Sequence, residues 1–163
     1  MRKYKLTHSE DFYITKLLKE TKIKEIMTPD PIAIPVDAHF SEVPKLMAGR
    51  DIRHLPVVNN ENHLVGMITE ENLYRIQPPH KLEDGTWHYD DEMLEPYVLH
   101  EVMETDPAKL HAEDPLAVAV SMMAYDKRGC ICIVDDHGAL CGILTQMDII
   151  QVCAQLAAGN GNK

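Results

Sequence analysis

The residues best placed to do chemistry are a hydroxyl and a carboxylate three positions apart, Thr145 and Asp148, within the segment 142–148. An apolar run that predicts a strand precedes them, and helical spacing follows. Two interpretations fit this position. The pair can form a capping box at a helix N-terminus. Alternatively, the carboxylate can accept both hydroxyl protons of a ribose while Thr145 adds a third contact. The segment alone favours neither.

Other catalytic or metal-binding arrangements lack support. None of the nine histidines forms an i, i+4 pair around a carboxylate on a predicted helix, as a zinc protease needs. No Walker-type glycine-rich loop is present, and no Ser-His-Asp or Cys-His arrangement has local support. We therefore predict no catalytic residue, no metal site and no enzymatic activity. The cysteines lack Cys-x-x-Cys spacing and are interpreted as reduced core residues: Cys130, Cys132, Cys141 and Cys153.

Composition narrows the classes of partner. The 26 acidic residues outnumber the 16 basic residues, giving a net charge of −10, which opposes general attraction to nucleic-acid phosphate. No segment approaches the ~20 consecutive apolar residues that a membrane span needs. We therefore expect neither nucleic acid nor membrane as a partner, and a cytoplasmic location.

An internal repeat organises the chain. Residues 23–74 align without gaps on residues 99–150, an offset of 76 with ten identities. Average residue usage predicts roughly three identities by chance. The alignment superimposes Met27 on Met103, Gly66 on Gly142 and Thr69 on Thr145. The chain therefore contains a duplicated unit.

Each repeat has the pattern β-α-β-β-α. The predicted first strands are Ile32–Ile34 and Ala108–Leu110, and two apolar runs around a polar turn predict a β-hairpin in each copy. One unit of about fifty residues buries little surface. We therefore predict an α/β fold in which the copies pack sheet to sheet about a pseudo-two-fold axis, with clefts between them.

Helix starts and connections complete the predicted organisation. Asp114 as N-cap and Pro115 as first helical residue suit the helix of the second repeat. The corresponding helix of the first repeat is expected to begin near Ser41 or to kink at Pro44. The linker carries one possible helical turn at 91–94. The predicted organisation is an N-terminal capping helix segment (1–22), repeat 1 (23–76), a linker (77–97), repeat 2 (98–152), and a helix end with a disordered tail (153–163).

In combination, these motifs resemble the cystathionine-β-synthase (CBS) domain family, in which tandem pairs form a Bateman module. The resemblance rests on residues 26–31 with their second copy 102–107, on the segment 53–58, and on the closing Gly-x-x-Thr-x-x-Asp. It covers about residues 23–76 and 98–152.

The resemblance implies a cleft that binds AMP, ADP, ATP or S-adenosylmethionine as a regulatory ligand. Carried over by position, Asp148 and Thr145 hold the ribose. The other expected ligand-binding positions are the base-framing residues Thr28, Ile32, Ala33 and Ile34, and the phosphate-facing residues Ile52, Arg53, His54 and Arg128.

The first repeat departs from the family pattern. Asn72, three residues after Thr69, stands where the ribose-binding carboxylate is expected. In the second copy of the motif at residues 26–31, Glu104 occupies the position equivalent to Thr28. An amide lacks the charge-assisted hydrogen bond, and a carboxylate repels phosphate. We therefore expect one good site at Asp148 and a weak or empty second site at Thr69 and Asn72.

Two functions follow as alternatives. The first is a non-catalytic sensor, an energy sensor if the ligand is AMP or ATP, that signals to a separate protein partner. A homodimer is what the resemblance implies for its assembly. The second is a ligand-free structural module for dimerisation or protein interaction.

Overall fold

The structure is a computed structural model that describes residues 8–158. Its helices are α1 (His8–Glu20), α2 (Glu42–Arg50), α3 (Glu70–Ile76), α4 (Asp91–Leu94), α5 (Leu99–Val102), α6 (Leu116–Tyr125) and α7 (Gln146–Ala157). Its strands are β1 (Thr28–Pro29), β2 (Ile34–Pro35), β3 (His54–Val58), β4 (Leu64–Thr69), β5 (His80–Lys81), β6 (Trp87–His88), β7 (Lys109–Leu110), β8 (Cys130–Val134) and β9 (Leu140–Thr145). None of these helices is long and apolar enough to cross a membrane.

The described chain divides into two compact units. Unit 1 comprises residues 8–30, 108–135 and 141–158, and unit 2 comprises residues 31–107 and 136–140. Each unit has its own sheet and its own apolar core.

Unit 1 is built on a four-stranded sheet in the order β1-β9-β8-β7. β7 runs parallel to β8, and β1 runs antiparallel to β9. The alternation of buried and partly exposed residues along β9 shows that one face of this strand packs on the core. That core contains Ile23, Leu116, Ile131, Ile133 and Leu144.

Unit 2 is built on a three-stranded sheet in the order β2-β3-β4. β2 is parallel to β3, which forms the predicted hairpin with β4. Two backbone hydrogen bonds between Glu104 and Met67, 2.9 and 3.0 Å long, attach the segment around Glu104 to β4. The core contains Phe40, Leu55, Ile68, Leu94 and Leu99.

Each unit incorporates the start of the other repeat. We call residues 23–30 and 99–106 the leading segments of repeats 1 and 2. The leading segment of repeat 1 supplies Ile23 and β1 to unit 1, which also contains the last strands of repeat 2. The leading segment of repeat 2 supplies Leu99 and Met103 to unit 2. The compact units therefore cross the boundaries of the sequence repeats.

The structure confirms the α/β class, both long hairpins and the helix start at Ser41, which is the N-cap of α2. Some predicted boundaries were wrong. The strand predicted at Ile32–Ile34 is Ile34–Pro35, and the one predicted at Ala108–Leu110 is Lys109–Leu110. The packing of the two repeats about a pseudo-two-fold axis stays a prediction.

The predicted cap of α6 was also wrong, by one residue. Pro115 itself occupies the N-cap, and Asp114 lies outside the helix. The Asp114 carboxylate instead accepts a hydrogen bond of 2.8 Å from the His111 N–H. Aspartate side chains readily close such local turns, and here this turn takes the side chain that the sequence assigns to the cap.

The segment between the repeats is more ordered than a simple linker. The predicted helical turn at 91–94 is confirmed as α4. An additional hairpin of β5 and β6 precedes it. The N-terminal helix expected within residues 1–22 is present as α1, His8–Glu20. The expected disordered tail lies partly outside the described residues, in 159–163.

The cysteines follow the core prediction only in part. Cys132 is fully buried, Cys130 and Cys141 are half-buried, and Cys153 is exposed on α7. The prediction that all four are core residues was therefore wrong for Cys153. All four are free thiols.

Candidate functional site

The candidate site lies at the N-terminus of α7 in unit 1. Thr145 is the N-cap and Asp148 is the third helical residue. Asp148 Oδ2 accepts hydrogen bonds of 2.7 Å from both the N–H and the hydroxyl of Thr145. Thr145 Oγ1 in turn accepts a bond of 3.4 Å from the Asp148 N–H. The capping box, one of the two interpretations that the sequence allowed, is thus present.

The capping box leaves part of the carboxylate uncommitted. Within the described part of the chain, Asp148 Oδ1 accepts no hydrogen bond, and the side chain is half-buried. An ionised carboxylate is an acceptor with two oxygens, so Oδ1 can still accept hydroxyl protons. The Thr145 hydroxyl has already donated its proton, so it can contact a ligand only as an acceptor. The cap and a ribose contact are therefore compatible at Asp148.

Strand pairing places Thr28 on the same sheet face as Thr145. Thr28 is directly opposite Ile143 in the pairing of β1 with β9. Residues directly opposite one another share a face, and so do residues two apart along one strand. Ile143 and Thr145 belong to the partly exposed set of β9, and Thr28 is exposed. This face of the unit 1 sheet therefore carries the hydroxyls of Thr28 and Thr145, and Asp148 follows in the first turn of α7.

Two hydrogen bonds from Gln146 hold the segment of Arg128 against the first turn of α7. The Gln146 N–H donates to the Gly129 carbonyl over 3.1 Å, and Gln146 Nε2 donates to the Arg128 carbonyl over 3.4 Å. A helix N-terminus also favours anions through its exposed N–H groups. Arg128 is thus in unit 1, near the same helix start as Asp148.

The corresponding position of unit 2 has the same geometry and different chemistry. Asn72 Oδ1 accepts hydrogen bonds of 2.7 and 2.8 Å from the N–H and hydroxyl of Thr69. Asn72 Nδ2 donates to the Val102 carbonyl over 3.4 Å. Both polar atoms of this amide are therefore engaged inside unit 2, whereas Asp148 retains one oxygen.

Acidic residues surround the α3 N-terminus. Glu70 and Glu71 occupy its first turn, where α7 has Gln146 and Met147. Glu104 pairs with Met67, two residues before Thr69 on β4, so it lies on the Thr69 face. The sequence-based predictions missed this acidic first turn. Comparing Glu70 and Glu71 with Gln146 and Met147, their equivalents in the second repeat, reveals it.

The remaining predicted positions all belong to unit 2. Ile32 and Arg53 are exposed, while Ala33, Ile52 and His54 are half-buried. Ile34 is only 1% exposed, so its side chain belongs to the core of unit 2. Any contact of Ile34 with a ligand would have to come from its main chain.

Arg53 and His54 are both affected by charges close by. Arg53 Nε lies 3.8 Å from Glu70 Oε2, an exposed pair that solvent screens. Burial lowers the pKa of His54 below its usual 6.5, and the positive charge of Arg53 lowers it further, against an opposing effect of Glu70. His54 therefore carries less positive charge at pH 7 than an ordinary histidine, which makes it a poorer partner for a phosphate.

These features define a CBS domain pair. The CBS domain profile matches residues 23–78 and 99–155, and the chain belongs to the CBS domain family. Uncharacterized protein MJ1404 of Methanocaldococcus jannaschii is 31% identical over 150 residues, which cover 89% of this chain. The aligned region is 35% of that relative's length, so the chain corresponds to about a third of it.

Solved CBS domain pairs share the fold. The CBS domain pair of protein MJ0100, in complex with 5-methylthioadenosine and S-adenosyl-L-methionine, is 23% identical with a TM-score of 0.68. The alignment covers 83% of this chain and 98% of that one. CBSX2 in complex with AMP is 19% identical with a TM-score of 0.68, over 83% and 98% of the two chains.

Proposed function

We propose that this protein is a non-catalytic regulatory module that binds an adenine nucleotide or S-adenosylmethionine. In this proposal Asp148 Oδ1 accepts the ribose hydroxyl protons at the N-terminus of α7. Thr28 and Thr145 line the adjacent sheet face, and Arg128 supplies positive charge.

The observation that carries the proposal is the uncommitted oxygen of Asp148. Charged hydrogen bonds are roughly twice as strong as neutral ones, and a half-buried carboxylate oxygen is a suitable partner for a vicinal diol. Two solved CBS domain pairs of the same fold hold adenosine-containing ligands, AMP in one and S-adenosylmethionine with 5-methylthioadenosine in the other. All three ligands contain an adenine and a ribose.

We propose further that the equivalent position in unit 2 binds ligand weakly or not at all. The Asn72 amide is engaged by Thr69 and Val102, and Glu70, Glu71 and Glu104 add negative charge to that region. A carboxylate within a few ångströms of a phosphate opposes binding. The expected stoichiometry is one strongly bound ligand per chain.

The test is thermal unfolding with AMP, ADP, ATP, S-adenosylmethionine or GTP, on the wild type and on Asp148→Asn. A ligand that binds only the native state adds about 2.7 kcal/mol at a hundredfold excess over its dissociation constant, a shift of several degrees. Asp148→Asn keeps the capping box, because Asn72 forms the same one in unit 2. We therefore expect near-wild-type stability without ligand and a much smaller shift with it.

Asn72→Ala is the matched control, and it should retain the full ligand shift while losing part of a helix cap. A wild-type shift that survives unchanged in Asp148→Asn would reject the assignment of the ribose to Asp148. No shift with any ligand at millimolar concentration would favour the ligand-free interaction module.

That alternative has one specific observation in its favour. The N-terminal helix α1 exposes large apolar side chains, namely Phe12, Tyr13, Ile14 and Leu17. Helix α7 also exposes Met147, Ile150 and Leu156. Exposed apolar groups of this kind suit a homodimer or a separate protein partner, which the ligand-free interaction module requires.

A further inference from the structure

The hairpin of β5 and β6 brings two histidines together on one face. His80 is directly opposite His88, and Lys81 is directly opposite Trp87. Adjacent residues of a strand point to opposite faces, so the two histidines share one face and Lys81 with Trp87 the other. The imidazole centroids are 5.3 Å apart with an interplanar angle of 78°. Both histidines are exposed.

The hairpin turn is held by several hydrogen bonds. The Leu82 N–H donates to the Thr86 carbonyl over 2.8 Å, and the Gly85 N–H donates to the Leu82 carbonyl over 3.0 Å. Gly85 has φ +89°, a conformation that favours glycine. The Asp84 carboxylate accepts bonds of 2.9 and 2.6 Å from the N–H and hydroxyl of Thr86. These contacts fix the pairing of the two short strands.

The base of the hairpin is attached to unit 2 on both sides. The Gln77 N–H donates to the Leu73 carbonyl at the end of α3, over 2.9 Å. On the other side Tyr89 follows His88 directly and packs against the unit 2 core. An isolated two-stranded hairpin is marginally stable, so this attachment is what preorganises the histidine pair.

We propose that His80 and His88 together bind a divalent transition-metal ion of the kind that imidazole prefers, such as Zn²⁺ or Ni²⁺. Two imidazoles on one tetrahedral zinc ion, with zinc–nitrogen bonds of about 2.0–2.1 Å, have ring centroids about 5.2 Å apart. The observed centroid distance of 5.3 Å is compatible with that spacing. The site involves none of the residues of the proposed nucleotide site.

The pair supplies two ligands and leaves the other positions to water. Within residues 8–158 no group of three or more His, Cys, Asp or Glu side chains could hold a metal ion. A two-ligand site is weaker than a structural four-ligand site, so exchangeable binding is expected. Helical spacing of histidines does not reveal this pair, because residues eight apart become adjacent only through the antiparallel register.

Trp87 provides a direct reporter, because it is the only tryptophan of the chain and adjoins His88. Nickel(II) is paramagnetic, so its binding to the pair should quench Trp87 fluorescence. The experiment titrates NiCl₂ into the full chain in a non-chelating buffer at neutral pH. We expect saturable one-to-one quenching, which diamagnetic Zn²⁺ reverses by competition.

His80→Asn and His88→Asn should each abolish the saturable quenching, and His100→Asn, an exposed histidine on α5, should leave it intact. Far-UV circular dichroism checks that the variants keep the wild-type fold. The absence of saturable quenching in the wild type would overturn the proposal. Saturable quenching that persists in both His80→Asn and His88→Asn would overturn it equally.

Discussion

A comparison of Asp148 with Asn72 separates helix capping from ligand binding, two roles that the sequence alone does not distinguish at this position. Both side chains close the same capping box with the threonine three residues earlier. The cap therefore does not require a negative charge, and the carboxylate at 148 is available for something else. The residue types show this difference in charge, and the difference in ligand binding expected from it stays a prediction. The sequence could not show that one carboxylate oxygen is already used, since that depends on side-chain geometry.

His54 should make stability depend on pH. Burial, and secondly the charge of Arg53, lower its pKa in the folded state below 6.5. Between the two pKa values the unfolded chain binds more protons, so stability falls as the pH drops through 6.5. We expect His54→Gln to lose less stability than the wild type on acidification from pH 7 to 5, as measured by urea unfolding.

Arg53→Gln separates the two causes of that lowered pKa. Removing the Arg53 charge while keeping the burial of His54 should give a pH dependence of stability between those of the wild type and His54→Gln. Equal pH dependence in the wild type and His54→Gln would show that another group dominates acid unfolding.

At the scale of elements, the long hairpins were predictable, whereas β2 and β7 were predicted with shifted bounds and the two-residue strands β1, β5 and β6 were not predicted. β3–β4 and β8–β9 have apolar runs on both sides of a polar turn, which is a strong local signal. Their turns also carry equivalent positive φ angles, 61° at Asn62 and 88° at Gly138. A two-residue strand such as β1 or β5 has no periodicity to detect, because its pairing is set by the partner strand.

Gly66 and Gly142 are required by close packing between the leading segments and the last strands. A Cβ at Gly142 would stand 2.5 Å from Met27 Sδ, and a Cβ at Gly66 would clash in the same way with Met103 Sδ. We expect Gly66→Ala and Gly142→Ala each to cost about 1–3 kcal/mol of unfolding free energy, because overpacking displaces a half-buried or buried methionine. Urea unfolding at constant pH measures this cost.

Gly49→Ala is the matched control for these substitutions. Gly49 lies within α2, and a Cβ there meets nothing within 4 Å. Alanine in a helix is favoured over glycine by about 0.5–1 kcal/mol, so this variant should gain stability. A destabilised Gly49→Ala, or a neutral Gly142→Ala, would contradict the packing argument.

At the scale of the whole molecule, the repeat alignment does not reveal which segments fold together. Alignment matches Met27 with Met103, but Met27 packs at Gly142 of repeat 2 and Met103 packs at Gly66 of repeat 1. Either assignment of the leading segments satisfies the hydrophobic pattern equally well. The choice depends on tertiary packing, which a single sequence does not contain.

Because each leading segment packs with the last strands of the other repeat, we expect that neither sequence repeat folds alone. A fragment of residues 1–97 lacks Leu99 and Met103 of the unit 2 core, and a fragment of residues 98–163 lacks Ile23 and β1 of unit 1. Burial of each large apolar side chain contributes about 1.5–3 kcal/mol, against a total stability of about 5–15 kcal/mol for a domain. Each fragment should therefore show no cooperative thermal transition by circular dichroism.

Mixing the two fragments distinguishes this exchange from general instability of short chains. The mixture contains every residue of both cores, so it should recover a cooperative transition and the helical signal of the intact chain at sufficient concentration. Because association is then bimolecular, its midpoint should rise with fragment concentration. A cooperative transition in either fragment alone, at the temperature of the intact chain, would mean that the leading segments are dispensable and that each repeat is its own folding unit.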